Sequence, residues 1–261
     1  MTPRQRRDLR RRVLYVVLVL GAVGVGLSID WAQLAETFFN PAIAAEMFPD
    51  VVTIAVKNTV IYTILSFIFG LLLGLVLALM KMSSIGPYRW IANVYIELFR
   101  GLPALVTLIL VGFALPIALG VNIPGGALGK ATVGLGLVAA AYMAETIRAG
   151  IQAVPKGQME AARSLGMSQG RAMISIIIPQ AFRIVIPPLT NELVLLIKDT
   201  SLVFVLGSTP QSKELTKFGR DALLERANGT PLTVIALLYL AITLPLTRLV
   251  AQLEKRQSRA R

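Results

Sequence analysis

Residues 58–80 read NTVIYTILSFIFGLLLGLVLALM and hold no charged side chain. A helix that crosses a membrane needs about 20 mostly apolar residues, so this stretch predicts a transmembrane helix. The composition of the whole chain agrees, because 55% of its 261 residues are hydrophobic and only 15% are charged. A soluble domain is about a quarter charged and needs polar side chains to cover its surface. We therefore expect an all-α integral membrane protein.

Other uncharged runs on either side of this stretch predict the remaining spans. Residues 101–129 and 227–247 carry no charge and are long enough to cross a bilayer. Residues 13–29 are also uncharged, although this run is short. Two weaker candidates, 131–147 and 184–207, contain ionisable side chains within the run. Together these runs predict about six transmembrane helices.

The basic residues predict how the chain is oriented in the membrane. Cytoplasmic segments of membrane proteins carry an excess of Lys and Arg. Residues 1–12 hold six arginines and the tail 251–261 is also basic, whereas residues 30–52 hold four acids and neither Lys nor Arg. We expect both tails in the cytoplasm and 30–52 as an extracytoplasmic segment. The net charge of +12 then mostly reflects the orientation of the chain, with the basic residues facing the lipid headgroups of the bilayer. We therefore expect no nucleic-acid partner.

The first predicted helix, 13–29, allows two interpretations. A charged start followed by an apolar run of about 15 residues is typical of a secretory signal peptide. However, Ser28-Ile29-Asp30-Trp31 is a poor cleavage site, and Trp31 suits the membrane interface beside a retained helix. We expect a retained first transmembrane helix, with cleavage as the alternative.

The absence of histidine and cysteine limits the possible chemistry. It excludes disulfides, Cys/His zinc sites, thiolate nucleophiles and Ser-His triads, and general acid–base catalysis near neutral pH most often uses histidine. The string Gly166-Met-Ser168-Gln-Gly170 matches a hydrolase nucleophile motif, but without histidine it is a chance match. The surroundings of Gly129-Lys130 do not match a phosphate-binding loop. We therefore expect no enzyme, no catalytic residue, no metal and no cofactor in this chain.

The long predicted cytoplasmic loop, 148–183, is too polar to span the membrane, and its sequence has a regular pattern that an unstructured linker would lack. Residues 158–165 are good helix formers, and Gly166 is suited to the left-handed position that follows a helix. Ser168 can cap a second helix, and Pro179 is expected to stop or kink that helix. The pattern predicts two short helices joined at a glycine, and short amphipathic helices of this kind dock in grooves of partner proteins.

This loop resembles the EAA loop of ABC-importer permeases. That motif runs Glu-Ala-Ala, three residues, Gly, nine residues, Ile, one residue, Leu-Pro, and Ile178 stands where the motif has Leu. The matching residues, which the resemblance implies bind the ATPase subunit, are Glu160, Ala161, Ala162, Gly166, Ile176 and Pro179. Three flanking strings, YIELFRGLP at 95–103, ETIRAGI at 145–151 and KDTSL at 198–202, are similar to polar amino-acid permeases of the histidine/glutamine type.

The resemblance covers residues 53–250 and implies a function. It implies a type I ABC importer permease core preceded by an extra N-terminal helix, with 148–183 as the coupling loop. The implied partners are two cytoplasmic ATP-binding subunits that carry ATP and Mg, a second permease, identical or similar, and an extracytoplasmic amino-acid-binding protein. The implied location is the bacterial cytoplasmic (inner) membrane, where ATP-driven import of polar amino acids would occur.

Ionisable groups at membrane depth are costly and mark candidate functional sites. Candidates for a substrate path that carries a zwitterion are Glu145, Asn191, Glu192, Lys198, Asp199, Thr200 and Ser201. A buried polar network between helices is the alternative. Glu145 and Arg148 are three residues apart and therefore neighbours on one helical face, so Glu145 also suits a purely structural ion pair.

Two other classes of protein stay open. An autonomous ion-coupled secondary transporter would use Glu145, Glu192 and Asp199 as proton or ion sites, although such folds often contain internal repeats and none is evident here. A membrane hydrolase would depend on a Ser201–Lys198 dyad. Gly70 and Gly74 form a small-xxx-small pair that permits close contact between helices.

Overall fold

A computed structural model describes residues 3–259, and this part of the chain is helical with no strand. The helices are α1 (Pro3–Ser28), α2 (Trp31–Phe38), α3 (Pro41–Glu46), α4 (Lys57–Met82), α5 (Gly86–Gly101), α6 (Ala104–Ile109), α7 (Leu115–Leu119), α8 (Gly126–Gln152), α9 (Lys156–Ser164), α10 (Gln169–Ala172), α11 (Ile178–Asp199), α12 (Leu215–Arg226) and α13 (Thr230–Arg259). The π-helical stretches are Val51–Val56, Leu110–Ala114 and Met173–Ile177, and the 3₁₀ helices are Thr200–Leu206 and Pro210–Ser212.

Within residues 3–259, five helical rods are long and apolar enough to cross a membrane, and a sixth span forms if one bent pair is counted. The rods run over Arg6–Ser28, Val51–Met82, Gly126–Gln152, Gln169–Leu206 and Thr230–Lys255. The prediction of an all-α membrane protein with about six spans is thus confirmed. The first rod begins well before residue 13, so most of the arginine-rich tail is helical.

The predicted span 101–129 is too long, because the α6–α7 rod within it ends at Leu119 and residues 126–129 belong to α8. Helix α5 and the α6–α7 rod meet at an angle of 107°. The break lies at Leu102 and Pro103, where Leu102 is extended, because a proline disfavours helical backbone in the residue before it. The rod ends at Leu119, after which Gly120 adopts the left-handed conformation.

Helices α4 and α8 form the centre of the bundle and run parallel, in the same direction. Ser66 in the first half of α4 donates to the carbonyl of Ala131 near the start of α8, while Lys81 near the end of α4 pairs with Glu145 near the end of α8. A Cβ at Gly74 would lie 3.0 Å from the carbonyl oxygen of Ala140. The expected close contact at Gly70 and Gly74 is therefore confirmed.

The segment between the first two spans folds onto the last part of the chain. Glu46 pairs with Arg226 of α12, and the backbone N–H of Asn40 donates to Thr230 at the start of α13. Met47 is buried in an apolar cluster that includes Leu215. These contacts build a structured cap at the end of the bundle opposite α9.

Candidate functional site

Helix α9 presents the predicted coupling residues at one end of the bundle. Glu160 and Ala161 are exposed, whereas Ala162 is buried at 2% exposure. The helix ends at Ser164, and Gly166 two residues later has a φ of +81°, as the sequence predicted for a left-handed residue after a helix. The neighbouring Leu165 is 84% exposed. One face of this short helix is thus free, and the opposite face is packed.

The packed face of α9 rests on the start of the rod Gln169–Leu206. Ile177 and Ala181 are buried together with Val154, and Met159 of α9 and Ile176 pack against them. Gln180 also donates to the side chain of Gln158, with an Nε2–Oε1 distance of 3.3 Å. Helix α9 is therefore fixed against the rod that continues into the membrane.

The second helix of the loop begins as predicted and ends much later. Ser168 caps it, accepting from the N–H of Arg171 at 3.4 Å. Pro179, which was expected to stop or kink this helix, instead lies in the first turn of α11, directly after the π-helical stretch. The wider π turn accommodates a residue without an N–H donor, so the helix continues to Leu206.

A cavity of about 340 Å³ lies between α11, α8 and the bend after α5. Its walls are formed by Leu102, Pro103, Ala104, Leu135, Val138, Ala139, Tyr142, Glu192, Leu195, Leu196 and Asp199. Glu192 and Asp199 are seven residues apart, two helical turns, so they share one face of α11. The volume falls at the small end of the range for ligand sites. The cavity combines an apolar lining with two carboxylates on one wall.

The α8 side of the cavity carries an aromatic ring beside a cation. Tyr142 lines the cavity, and the guanidinium carbon of Arg100 lies 5.6 Å from the centre of its ring. This geometry allows a cation–π contact. Sequence reasoning missed both residues, because Arg100 and Tyr142 are distant in the chain and only the packing of α5 on α8 brings them together.

The remaining predicted path residues lie outside the lining of this cavity. Asn191 and Lys198 are exposed, Ser201 is half-buried and Thr200 is buried, where its hydroxyl donates to the carbonyl of Ile197 at 2.6 Å. Because Lys198 and Asp199 are adjacent, they point about 100° apart on the helix. Only Glu192 and Asp199 of the predicted set are brought together at the cavity.

Glu145 belongs to an ion cluster near the α9 end of the bundle rather than to the cavity. It pairs with Lys81 of α4 and with Arg148 one turn further along α8, at 2.7 Å. The cluster joins the ends of the two central helices. This geometry agrees with the alternative that Glu145 and Arg148 form a purely structural ion pair.

Glu214 is a buried carboxylate at the opposite end that sequence reasoning did not single out. Its side chain is 1% exposed and caps α12, accepting from the N–H groups of Thr216 and Lys217 at 2.6 Å each. Tyr239 of α13 also donates to it. Burial raises the pKa of Glu214 to about 7, against the opposing effect of these hydrogen bonds. The sequence does not indicate this burial, because an acidic residue in a loop with other charged residues is expected to be exposed to solvent.

We expect the stability of the protein to depend on Glu214 between about pH 4.5 and pH 7. Its pKa is raised above the ordinary 4.5, so the folded state binds more protons in this window and the free energy of unfolding falls as pH rises. The total change is about 3 kcal/mol. Thermal unfolding in detergent should show this slope, and Glu214→Gln should flatten it. An unchanged slope in Glu214→Gln, or the same flattening in the exposed control Glu36→Gln, would contradict the assignment.

Comparison with known proteins places these features in a family. The family described as a binding-protein-dependent transport system inner membrane component matches residues 68–259. The L-cystine transport system permease protein TcyB of Bacillus subtilis is 39% identical over 183 residues, 70% of this chain and 73% of that protein. The arginine transport system permease protein ArtQ of the same organism is 39% identical over 195 residues, 74% of this chain and 86% of that protein.

Solved structures agree with the fold. The crystal structure of an amino acid ABC transporter with histidines matches with a TM-score of 0.72 and 36% identity, covering 88% of this chain and 99% of that chain. An inward-facing MetNI methionine ABC transporter matches with a TM-score of 0.65 over 80% of this chain and 98% of that chain, at 20% identity. The second likeness concerns the fold alone. The chain belongs to the family of binding-protein-dependent transport system inner membrane components, as a permease of the amino-acid ABC-transporter type.

Proposed function

We propose that this chain forms the membrane path of an ATP-driven importer of polar amino acids and that α9 couples it to ATP hydrolysis. The observation that carries this proposal is the continuity of the rod Gln169–Leu206. Its first turns hold α9 through Ile176 and Ile177, and the same rod carries Glu192 and Asp199 to the cavity. A displacement of α9 is thereby transmitted to the wall of the path.

The coupling residues divide into those that would contact the partner and those that fix the loop on the bundle. The exposed carboxylate of Glu160 offers an acceptor to a cationic or N–H donor on the partner, and Ala161 allows close approach. Ala162 and Ile176 face the bundle and fix α9, Gly166 makes the turn, and Pro179 lies in the first turn of α11. The partners would be two cytoplasmic ATP-binding subunits, which hold ATP and Mg, so this chain needs no ATPase site of its own.

A zwitterionic substrate fits the charge distribution of the cavity. Its ammonium group would face Glu192 and Asp199, and its carboxylate would face the side on which Arg100 lies over Tyr142. Opposite partners for the two charges offset the cost of removing both from water. An extracytoplasmic amino-acid-binding protein would deliver the substrate, and a second permease, identical or similar, would complete the complex in the inner membrane with both termini cytoplasmic.

Purification of the chain from its native membrane in mild detergent tests this proposal. Mass spectrometry should identify an ATP-binding subunit and a second permease in the same complex. Reconstituted in liposomes with MgATP inside and the binding protein outside, the complex should accumulate labelled polar amino acids. If the chain purifies alone and drives uptake from an ion gradient without ATP, the secondary-transporter interpretation replaces this one.

A further inference from the structure

A segment at the end of the bundle opposite α9 is held to α4 through its backbone. We call residues 207–214 the outer segment. It follows the 3₁₀ helix Thr200–Leu206 and precedes α12. Asn58 donates from Nδ2 to the carbonyl oxygens of Gln211 and Lys213, at 2.8 and 2.9 Å. Tyr62 donates from its hydroxyl to the carbonyl of Ser212 at 3.0 Å.

Three consecutive carbonyls of the outer segment are thus bound by two side chains of one helix. Asn58 and Tyr62 are four residues apart and share one face of α4. Between them, Thr59 accepts from the N–H of Leu215 at 3.1 Å. We call Asn58, Thr59 and Tyr62 the outer latch. Each bond joins a side chain to the main chain, so the latch fixes the path of the segment whatever side chains it carries.

The outer latch is directly connected to the cavity. Tyr62 is 1% exposed and belongs to a buried cluster with Val203 and Leu206 of the 3₁₀ helix. The same cluster contains Leu135 and Leu196, which line the cavity. This cluster separates the cavity from the outer segment. A substrate path from the cavity to the outer side of the membrane would pass through this cluster. Opening it requires the residues of the cluster to separate and the outer segment to move away from α4.

The connection between the cavity and the outer segment has features that suit a hinge. The 3₁₀ helix starts at Thr200, immediately after the cavity residue Asp199, and is seven residues long, whereas 3₁₀ runs longer than about four residues are uncommon because their hydrogen-bond geometry is poorer. It ends at Leu206, and the following Gly207 has a φ of +75° with open space where a Cβ would lie. Leu206 lies over Gly112 of the bent span, where a Cβ would come within 2.3 Å of its Cδ2. Because Gly112 has no Cβ, the side chain of Leu206 packs directly on the backbone of the bent span.

We propose that the outer latch holds the extracytoplasmic side of the path closed and that each transport cycle must break it. Asn58, Thr59 and Tyr62 are then positioning residues whose hydrogen bonds set the population of the outward-open state. This inference rests on the proposed import function. A hydrogen bond contributes little net stability because water replaces it, so several weak bonds give a latch that a docking partner can open.

The test is the ATPase activity of the reconstituted complex without its binding protein. Asn58→Ala combined with Tyr62→Phe removes the bonds to all three carbonyls and should raise this basal activity roughly fivefold or more, because the open state becomes more populated by that factor. A purely structural role would lower activity or leave it unchanged. The matched control is Val60→Ala, an exposed position on the same turn of α4.

Each outcome bears on the proposal. If the wild-type complex is stimulated by the binding protein but the double variant keeps the wild-type basal rate, the outer latch is wrong and the import function stands. If the wild-type complex shows no stimulation by the binding protein, the import function itself fails. Should the double variant not assemble, Tyr62→Phe alone, which keeps the buried ring, is measured in the same way and must raise the basal rate above that of Val60→Ala.

Discussion

Replacing Glu160 by lysine is expected to abolish ATP-coupled uptake while the chain still inserts and folds. Glu160 is exposed on α9, and its side chain forms no hydrogen bond or ion pair with the described part of the chain, so the fold does not depend on its charge. A reversed charge in an interface faces the partner's donor and costs about 2 kcal/mol or more. Uptake should fall at least about thirtyfold, and the ATP-binding subunit should be lost from the purified complex.

Gly166→Val should have the same effect for a backbone reason. Gly166 has a φ of +81°, a region that L side chains occupy at a cost of roughly 1–2 kcal/mol, and a β-branched residue is the least suited to it. The turn after α9 would change direction, so the helix would no longer present Glu160 correctly. Gly170→Val is the matched control, because Gly170 lies in open space with an ordinary helical φ.

The measurement compares uptake and subunit recovery for these variants in the same liposomes. Glu254→Lys is the control for the charge reversal, since Glu254 is also exposed and lies near the end of α13. Normal uptake in both Glu160→Lys and Gly166→Val would refute the role of α9. Loss of uptake in the two controls as well would mean that the surface charge or the fold, not the coupling contact, was disturbed.

The fold was predictable from the sequence where one physical effect, the exclusion of charged side chains from the membrane, dominates. The uncharged run 58–80 can lie only in a membrane, and it lies within the rod Val51–Met82. The run 101–129 shows the limit, because the break at Leu102–Pro103 involves neither charge nor polarity and is invisible to hydropathy. Pro179 shows the opposite error: a proline that predicts an end was accommodated by a π-helical turn before it.

The candidate site was predictable only in part, because partners distant in sequence decide it. The sequence could place Glu192 and Asp199 two turns apart on one helix, and they do share the cavity. It could not show that Lys81 of another helix neutralises Glu145. Nor could it separate Glu214, which is buried, from the solvated acids around it. Burial and pairing are tertiary properties that charge patterns along the chain do not contain.

Removing either carboxylate of the cavity is expected to block transport without breaking the coupling. Asp199→Asn and Glu192→Gln keep the size of the side chain and remove one negative charge that would face the ammonium group of the substrate. Losing a buried charged hydrogen bond costs about 2 kcal/mol or more, so uptake of labelled amino acids should fall at least about thirtyfold at limiting substrate. The ATP-binding subunit should stay in the complex, because both residues are remote from α9.

The combination of readouts separates this site from the coupling contact. In the cavity variants, basal ATPase activity and subunit recovery should match the wild type while uptake is lost; in Glu160→Lys, all three should fall together. Glu254→Gln removes the same kind of charge outside the cavity and should leave uptake unchanged. If Asp199→Asn and Glu192→Gln both transport normally, the two carboxylates serve helix packing. A loss of uptake that recovers when substrate is raised would support their role in substrate binding, since a weakened site fills at higher concentration.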